Sequence, residues 1–398
     1  MSAALFDPLD PATLADPYSA YAALRASLPV AHLQDHDLWM VTRYEDAVHV
    51  LRNTETFSSA LGMSATIGSH SAPATGVGYR MGVSGVRVII ATDPPEHQVI
   101  RRAIRPAFTR QSLVALESMM HELADELVRG LVERGAEADF YRDVAEPMPV
   151  VVLASMFGVP ASMHEEFRRW VSVVTAELDQ GFDGHGVGRG LDMLRYFRRE
   201  LAKRRTAPSG DLLSVIAAAS DVGLSDHELL AQCVFLLVAG VETTTNLLTN
   251  LIAALSEHPE AQDSLRRHPH LLSSAVEEAL RYDSPVQALW RSTTRPTELG
   301  GESLPANARV LVAFGAANRD PARFPDPDRF LVNRSPNDHI AFGSGPHLCI
   351  GSRLARMEVK VVLKALLDRT SWISLRGAGT RTRSPIVRGF VSEPVVLG

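Results

Sequence analysis

Along most of the chain, apolar positions recur every three to four residues, the period of helices buried on one face. Residues 109–134 place leucine, valine and methionine at that spacing, and residues 147–157, 163–174 and 191–205 continue it. The strongest prediction is a helix opening at Ser225. Ser225 and Glu228 form a capping-box pattern, an apolar body follows, and His258-Pro259 stops it. At roughly 30 residues it is long for a globular protein. Pro259 then opens a short helix to Arg267, and Ser274 with Glu277 predicts a second capping box for a helix ending near Tyr282.

Strand signals are fewer. Residues 38–42 are a short apolar run, residues 298–304 read as a hairpin around Gly300-Gly301, and residues 309–314 and 385–396 add further strands. The pattern predicts a mainly α protein with β-rich parts near 30–60, 290–316 and 375–398. Two stretches lack a period: residues 58–91, rich in Gly, Ser and Ala, and residues 317–344, studded with Pro, Asp and Arg. Long irregular segments in compact domains are usually functional. No linker or repeat interrupts the chain, so one domain over 1–398 is expected.

Composition narrows the class. The 398 residues are 45% hydrophobic and 22% charged, enough for a large core. A net charge of -6 is slight for this size and points to neither nucleic acid nor a membrane surface. The first residues carry Asp7, Asp10 and prolines in place of an apolar leader, and the longest apolar run, near 231–241, is short for a bilayer. A cytoplasmic monomer is expected. Cys233 and Cys349 are the only cysteines, so neither a disulfide framework nor a four-thiolate metal site is open to this chain. Any cysteine chemistry comes from one thiolate.

The segment Phe342-Gly-Ser-Gly-Pro-His-Leu-Cys-Ile-Gly351 is the most informative. A lone cysteine is more often a small buried hydrophobe. Here glycines frame it and a helix-like stretch, 352–367, comes next, so the positive end of a helix would favour the thiolate. Backbone N–H groups could also approach the sulfur closely. The full pattern Phe-Gly-x-Gly-x-His-x-Cys-x-Gly resembles the haem-binding signature of the cytochrome P450 family. The resemblance implies that family's fold: a large helical domain, a smaller β-rich region and a long central helix on the distal side of haem b. It makes Cys349 the iron ligand, with Phe342 beside it, Gly351 in the frame and His347 reaching a haem propionate. A thiolate ligand pushes electron density toward iron and favours O–O cleavage.

Other motifs occur in the family's order. Glu278-Ala-Leu-Arg281 matches a Glu-x-x-Arg helix, and Pro327-Asp-Arg-Phe330 resembles the meander that completes a structural triad of Glu278, Arg281 and Arg329. The family usually has Glu where Asp328 stands. Within the long helix, Ala239-Gly-Val-Glu-Thr243 carries a glycine and threonines that lower helix propensity. A tolerated kink against a packed neighbour is the plain reading. The resemblance implies instead that the helix opens at Ala239 and Gly240 to admit dioxygen, with Thr243 hydrogen-bonding it and Glu242 relaying protons. His97 and Arg101 lie at i, i+4 after Asp93-Pro-Pro-Glu, and Arg291 lies in Leu289-Trp-Arg-Ser. With His347 they form the implied propionate set. The N-terminal Asp16-Pro-Tyr-x-x-Tyr21 also fits, so the resemblance covers nearly the whole chain.

The implied reaction inserts one atom of O2 into a small molecule, by hydroxylation or O-dealkylation. No dinucleotide or flavin motif accompanies the haem segment, so electrons from NAD(P)H are expected through a separate ferredoxin and ferredoxin reductase. Arg102, Arg105, Arg110, Arg353 and Arg356 could form its basic docking face, although an arginine-rich composition, with three lysines among 40 basic residues, offers another explanation. Phe235, Val238, Ala239, Val286, Ala288 and Leu289 are the candidate substrate contacts, nearly all apolar, which favours a hydrophobic substrate held by shape. The sequence around Ser284 and Ala317 resembles members acting on aromatic acids, but Phe235 and Val238 stand where a carboxylate reader would be polar; terpenoids, fatty acids and polyketides stay open. A peroxide-driven peroxygenase and a non-catalytic haem sensor are the alternatives, and Thr243 speaks against both.

Overall fold

The computed structural model describes residues 6–60, 86–180 and 187–398, with backbone alone for 173–180 and 187–189. Helices dominate, and the helix Asp226–Glu257 runs through their centre. Ser225 accepts from the Glu228 N–H while the Glu228 carboxylate accepts from the Ser225 N–H, the reciprocal capping box read from the sequence. Arg87 also pairs with Glu228 and, against burial, holds its carboxyl down at about 2. At about 1.5 Å per residue the helix spans roughly 48 Å. By length and composition alone it could cross a bilayer, yet most of it is buried inside the protein.

Helices Pro147–Met156, His164–Gln180, Val187–Thr206 and Ser352–Arg369 occur where the apolar period placed them, and Pro259–Arg267 succeeds the central helix. Two expectations need correction. Residues 109–134 form two helices, Arg110–Val114 and Glu117–Arg134. The capping box at Ser274 and Glu277 does not form, because Leu272–Tyr282 already begins two residues earlier. Ser274 instead donates to the Val332 carbonyl at 2.6 Å, and Glu277 binds Arg356 at 2.6 Å and His339 at 3.1 Å. A long-range partner outcompeted the local one in both cases.

The main sheet has five strands in the order Val30–Leu33, Leu38–Val41, Arg309–Ala313, Ala288–Thr293 and Phe57–Ser58. Leu38–Val41 runs parallel to Arg309–Ala313, which is antiparallel to Ala288–Thr293. The hairpin Thr297–Leu299 with Glu302–Leu304 turns through Gly300 and Gly301, both at positive φ. A Cβ on Gly300 would also meet Val30 at 2.6 Å. Near the C-terminus, Val395–Leu397 pairs with Ile373–Leu375 and Phe390–Ser392 with Thr380–Arg381. Of the irregular stretch 58–91, residues 61–85 lie outside the described residues. Its later part is tied to the central helix: Gln232 accepts from the Ile89 N–H and donates to the Arg87 carbonyl.

Candidate active site

Cys349 lies between a short turn, Gly345–His347, and the helix Ser352–Arg369. Gly343 and Gly345 both take positive φ, and a Cβ on Gly345 would come within 2.9 Å of the Leu51 carbonyl, so the turn needs glycine there. The Cys349 N–H donates to the Phe342 carbonyl at 2.9 Å and closes the loop. Its side chain opens into an internal cavity and is crowded by protein elsewhere. Burial pushes its thiol up, while the Gly351 and Ser352 N–H groups and the charges of Arg101 and Arg356 pull it back. Those two amides begin the next helix, as the thiolate reading required. No group of three His, Cys, Asp or Glu side chains that could cage a bare metal ion occurs among the described residues.

The cavity encloses about 540 Å³. Cys349, Phe342 and Gly351 line it on one side, and Ala239, Gly240, Glu242 and Thr243 of the central helix on another. That helix is continuous through Gly240, from Asp226 to Glu257. Gly240 packs closely against Leu153, since a Cβ there would lie 3.2 Å from that side chain. The Thr243 hydroxyl donates to the Ala239 carbonyl at 2.8 Å, which fixes its rotamer.

His97, Arg101, Arg291 and His347 also line the cavity, and the His97 and His347 rings are 4.0 Å apart. Both ring nitrogens of His97, Nε2 of His347 and Nε of Arg291 are buried without a hydrogen-bond partner. Burial, with mutual repulsion among the cluster, pulls His97 down to about 4 and His347 to about 3. Burial pulls Arg291 down to about 10, against the opposing charge of Asp93. These unpartnered nitrogens beside the charges of Arg101 and Arg291 call for a hydrogen-bond-accepting anion with more than one acid group. The two propionates of haem fit that need, with the Cys349 sulfur on the same cavity for the iron.

Of the expected substrate contacts, Phe235, Val238, Ala239, Val286 and Leu289 line the cavity. Ala288 does not. It packs with Met40, Leu311 and Ala313 in the sheet's other core, because neighbouring strand residues face opposite ways. The sequence reading missed Ile89 and Ile90, and also Ser384, Pro385, Ile386 and Val387, which join the wall. A bridge between Val286 and Val387 brings the C-terminal segment there. Only the apolar Ile386-Val387 pair, read as strand, could have hinted at it.

Glu278 and Arg281 are completely buried and meet through two hydrogen bonds of 2.8 Å. The third member of the triad is Arg334 rather than Arg329. Arg334 Nε reaches both Glu278 oxygens at 3.0 and 3.1 Å, whereas the Arg329 side chain is exposed and only its carbonyl accepts from Arg281. The meander turns back at Asp326, at positive φ, so Arg334 arrives where the linear motif placed Arg329.

A helical fold in which one cysteine, a threonine-bearing helix, two arginines and two unpartnered histidines line a single cavity defines a haem-thiolate oxidoreductase. The chain belongs to the cytochrome P450 family, whose pattern it matches over residues 30–205 and 191–394. It is 35% identical to the Vitamin D(3) 25-hydroxylase of Pseudonocardia autotrophica, over 96% of this chain and 94% of that protein. The solved structure of cytochrome P450 CYP109Q5 from Chondromyces apiculatus superposes with a TM-score of 0.86 at 34% identity, covering 98% of each chain. CYP109E1 from Bacillus megaterium in complex with corticosterone superposes at 0.82 with 31% identity, covering 96% of this chain and 98% of that one. The protein is therefore a monooxygenase of the haem-thiolate type, which uses O2 and electrons from a redox partner.

Proposed function

We propose that this protein, a cytoplasmic single-domain enzyme, binds haem b through Cys349. It would take electrons from a ferredoxin and its reductase and hydroxylate or O-dealkylate an uncharged hydrophobic molecule. One oxygen atom enters the substrate and the other leaves as water with two electrons and two protons. The observation that carries the substrate class is the division of the cavity. Arg101 and Arg291 gather with His97 and His347, while Phe235, Val238, Val286, Leu289, Ile386 and Val387 make much of the remaining wall apolar. The relatives named for vitamin D(3) hydroxylation and solved with corticosterone are in keeping with such a wall.

Haem held by Cys349 supplies the reductive activation of dioxygen. The protein's own residues do the rest. His97, Arg101, Arg291 and His347 hold the propionates and regain the partners they lack. The apolar wall excludes water and holds the substrate by shape. Thr243, anchored on the Ala239 carbonyl, offers a hydroxyl to the reacting oxygen, and Glu242, also lining the cavity, passes protons toward it.

The reduced, carbon monoxide-bound protein is expected to show the Soret band of thiolate ligation, and Cys349→Ala to lose it; retention of the band would overturn the ligand assignment. Steroids, terpenoids and fatty acids screened for a low-to-high spin shift then rank the substrate classes. Turnover with peroxide alone but not with NAD(P)H, ferredoxin and reductase would favour a peroxygenase.

A further inference from the structure

Residues 384–387 line the cavity as irregular backbone, and one bridge, from Val387 to Val286, ties them to the facing wall. Beside it the Gln287 N–H donates to the Ile386 carbonyl at 2.7 Å and the Arg388 N–H to the Pro285 carbonyl at 2.8 Å. A second, small cavity of about 20 Å³ separates Ser384, Pro385 and Val387 from Phe6, Leu14 and Met40, so packing alone leaves this segment slack. What holds it is a buried ion pair. Asp283 follows the helix Leu272–Tyr282, and its Oδ1 accepts from Arg388 Nε at 2.8 Å and from the Tyr18 hydroxyl at 2.6 Å. Its Oδ2 accepts from Arg381 Nη1 at 3.2 Å. Arg388 also donates to the Leu14 and Ala15 carbonyls at 3.2 and 2.9 Å. Asn250 of the central helix donates to the Asp283 and Arg388 carbonyls at 3.0 and 2.9 Å and accepts from Arg381 at 3.2 Å. Asp283, Arg388 and Asn250 are all buried, and none of them lines the substrate cavity. Against burial, Arg388 and Arg381 hold the Asp283 carboxyl below the ordinary carboxylate range.

We propose that Asp283 and Arg388 are specificity-determining positioning residues, whose ion pair fixes residues 384–387 against 285–289 and so sets the width of the substrate site. They act through Val286, Ile386 and Val387, and the inference rests on the haem-thiolate reading above. A stretch without a strand ladder depends on side chains to hold its backbone. Hydrogen bonds between charged partners are the strong ones, and a buried network with its members satisfied is rigid. The N-terminal segment, the central helix and both walls meet in this one. With the pair intact the cavity keeps one width and selects hydrophobic molecules that match it. With the pair broken, residues 384–387 move into the space behind them, and molecules of many widths fit about equally well.

The test titrates the haem-loaded full chain with imidazole and with imidazoles bearing apolar tails of graded width, read by the Soret shift as the azole ligates iron. Wild type is expected to discriminate sharply among the tails. Asp283→Asn keeps the shape and removes the charge; it should shrink the spread of affinities several-fold while unsubstituted imidazole, which has no tail to reach the wall, binds as before. Arg388→Lys keeps the charge but cannot span Asp283 and both carbonyls, and should shrink the spread less. Tyr18→Phe, which deletes one hydrogen bond to Asp283, should have the smallest effect in the same direction. Should Asp283→Asn fail to take up haem, the other two variants decide by the same profiles. An unchanged spread, or an equal weakening of every azole including imidazole itself, would overturn the proposal. Absence of the thiolate Soret band in carbon monoxide-bound wild type would instead overturn the haem-thiolate reading, so the two failures are distinguishable.

Discussion

Arg291 brings a charge into a site where Asp93 alone opposes it, and its Nε finds no acceptor. Such a group is a burden to the protein without haem and an asset to the protein with it. Arg291→Leu is therefore expected to raise the denaturation midpoint of the haem-free protein. It should weaken haem retention by about 1.5–3 kcal/mol, roughly ten- to a hundredfold, because a charged hydrogen bond to a propionate is lost. Haem transfer to an acceptor globin and urea unfolding of the haem-free form read the two effects separately. Thr243 poses the converse case, since its hydroxyl already has a partner in Ala239 and folding does not require more of it. Thr243→Ala should leave haem content and melting unchanged while NAD(P)H consumption turns from product toward hydrogen peroxide. Unchanged coupling would remove Thr243 from the chemistry.

Among the elements, the helix Leu272–Tyr282 matters through what it buries. Glu278 and Arg281 are wholly out of water, and the irregular segment 317–344 organises itself on them: Arg281 donates to the Asn318, Pro327 and Arg329 carbonyls, and Glu278 accepts from Arg334, Asn337 and the Leu331 N–H. That segment has few backbone ladders, so side chains satisfy its polar groups. Removing one partner of a buried charged network costs about 3–5 kcal/mol. Arg334→Ala is expected to fall in that range and to reduce haem incorporation, whereas Arg329→Ala should stay within about 0.5 kcal/mol. Chemical denaturation of the two variants decides between the observed triad and the one read from the linear motif.

For the whole molecule, the relevant quantity is how charge is laid out around the thiolate. Arg102, Arg105, Arg110 and Arg353 are exposed there. Arg356 is committed elsewhere, paired with Glu277 at 2.6 Å and stacked 4.5 Å from the Phe342 ring, so it drops out of any docking set. Charge reversal at Arg105 and Arg353 together is expected to slow reduction by an acidic ferredoxin roughly tenfold at low salt, the size of effect that steering charges produce. The difference should vanish at high ionic strength, where surface charges are screened. Reduction by dithionite should be unaffected, and a uniform slowing by both reductants would point to damaged haem binding instead.

The sequence alone determined what local physics controls. The apolar period placed the long helices, the Ser225 box set where the central one begins, and the glycine-framed cysteine motif carried the family resemblance, because spacing and caps are properties of neighbouring residues. Tertiary structure decided what depends on residues far apart in the chain. It put Arg334 in place of Arg329, turned Ala288 away from the cavity, set Leu153 close against Gly240, and brought Ile386 and Val387 to the cavity wall. Each of these results from which surfaces a folded chain presses together, and a buried group's charge and partners are set there rather than by its neighbours in sequence.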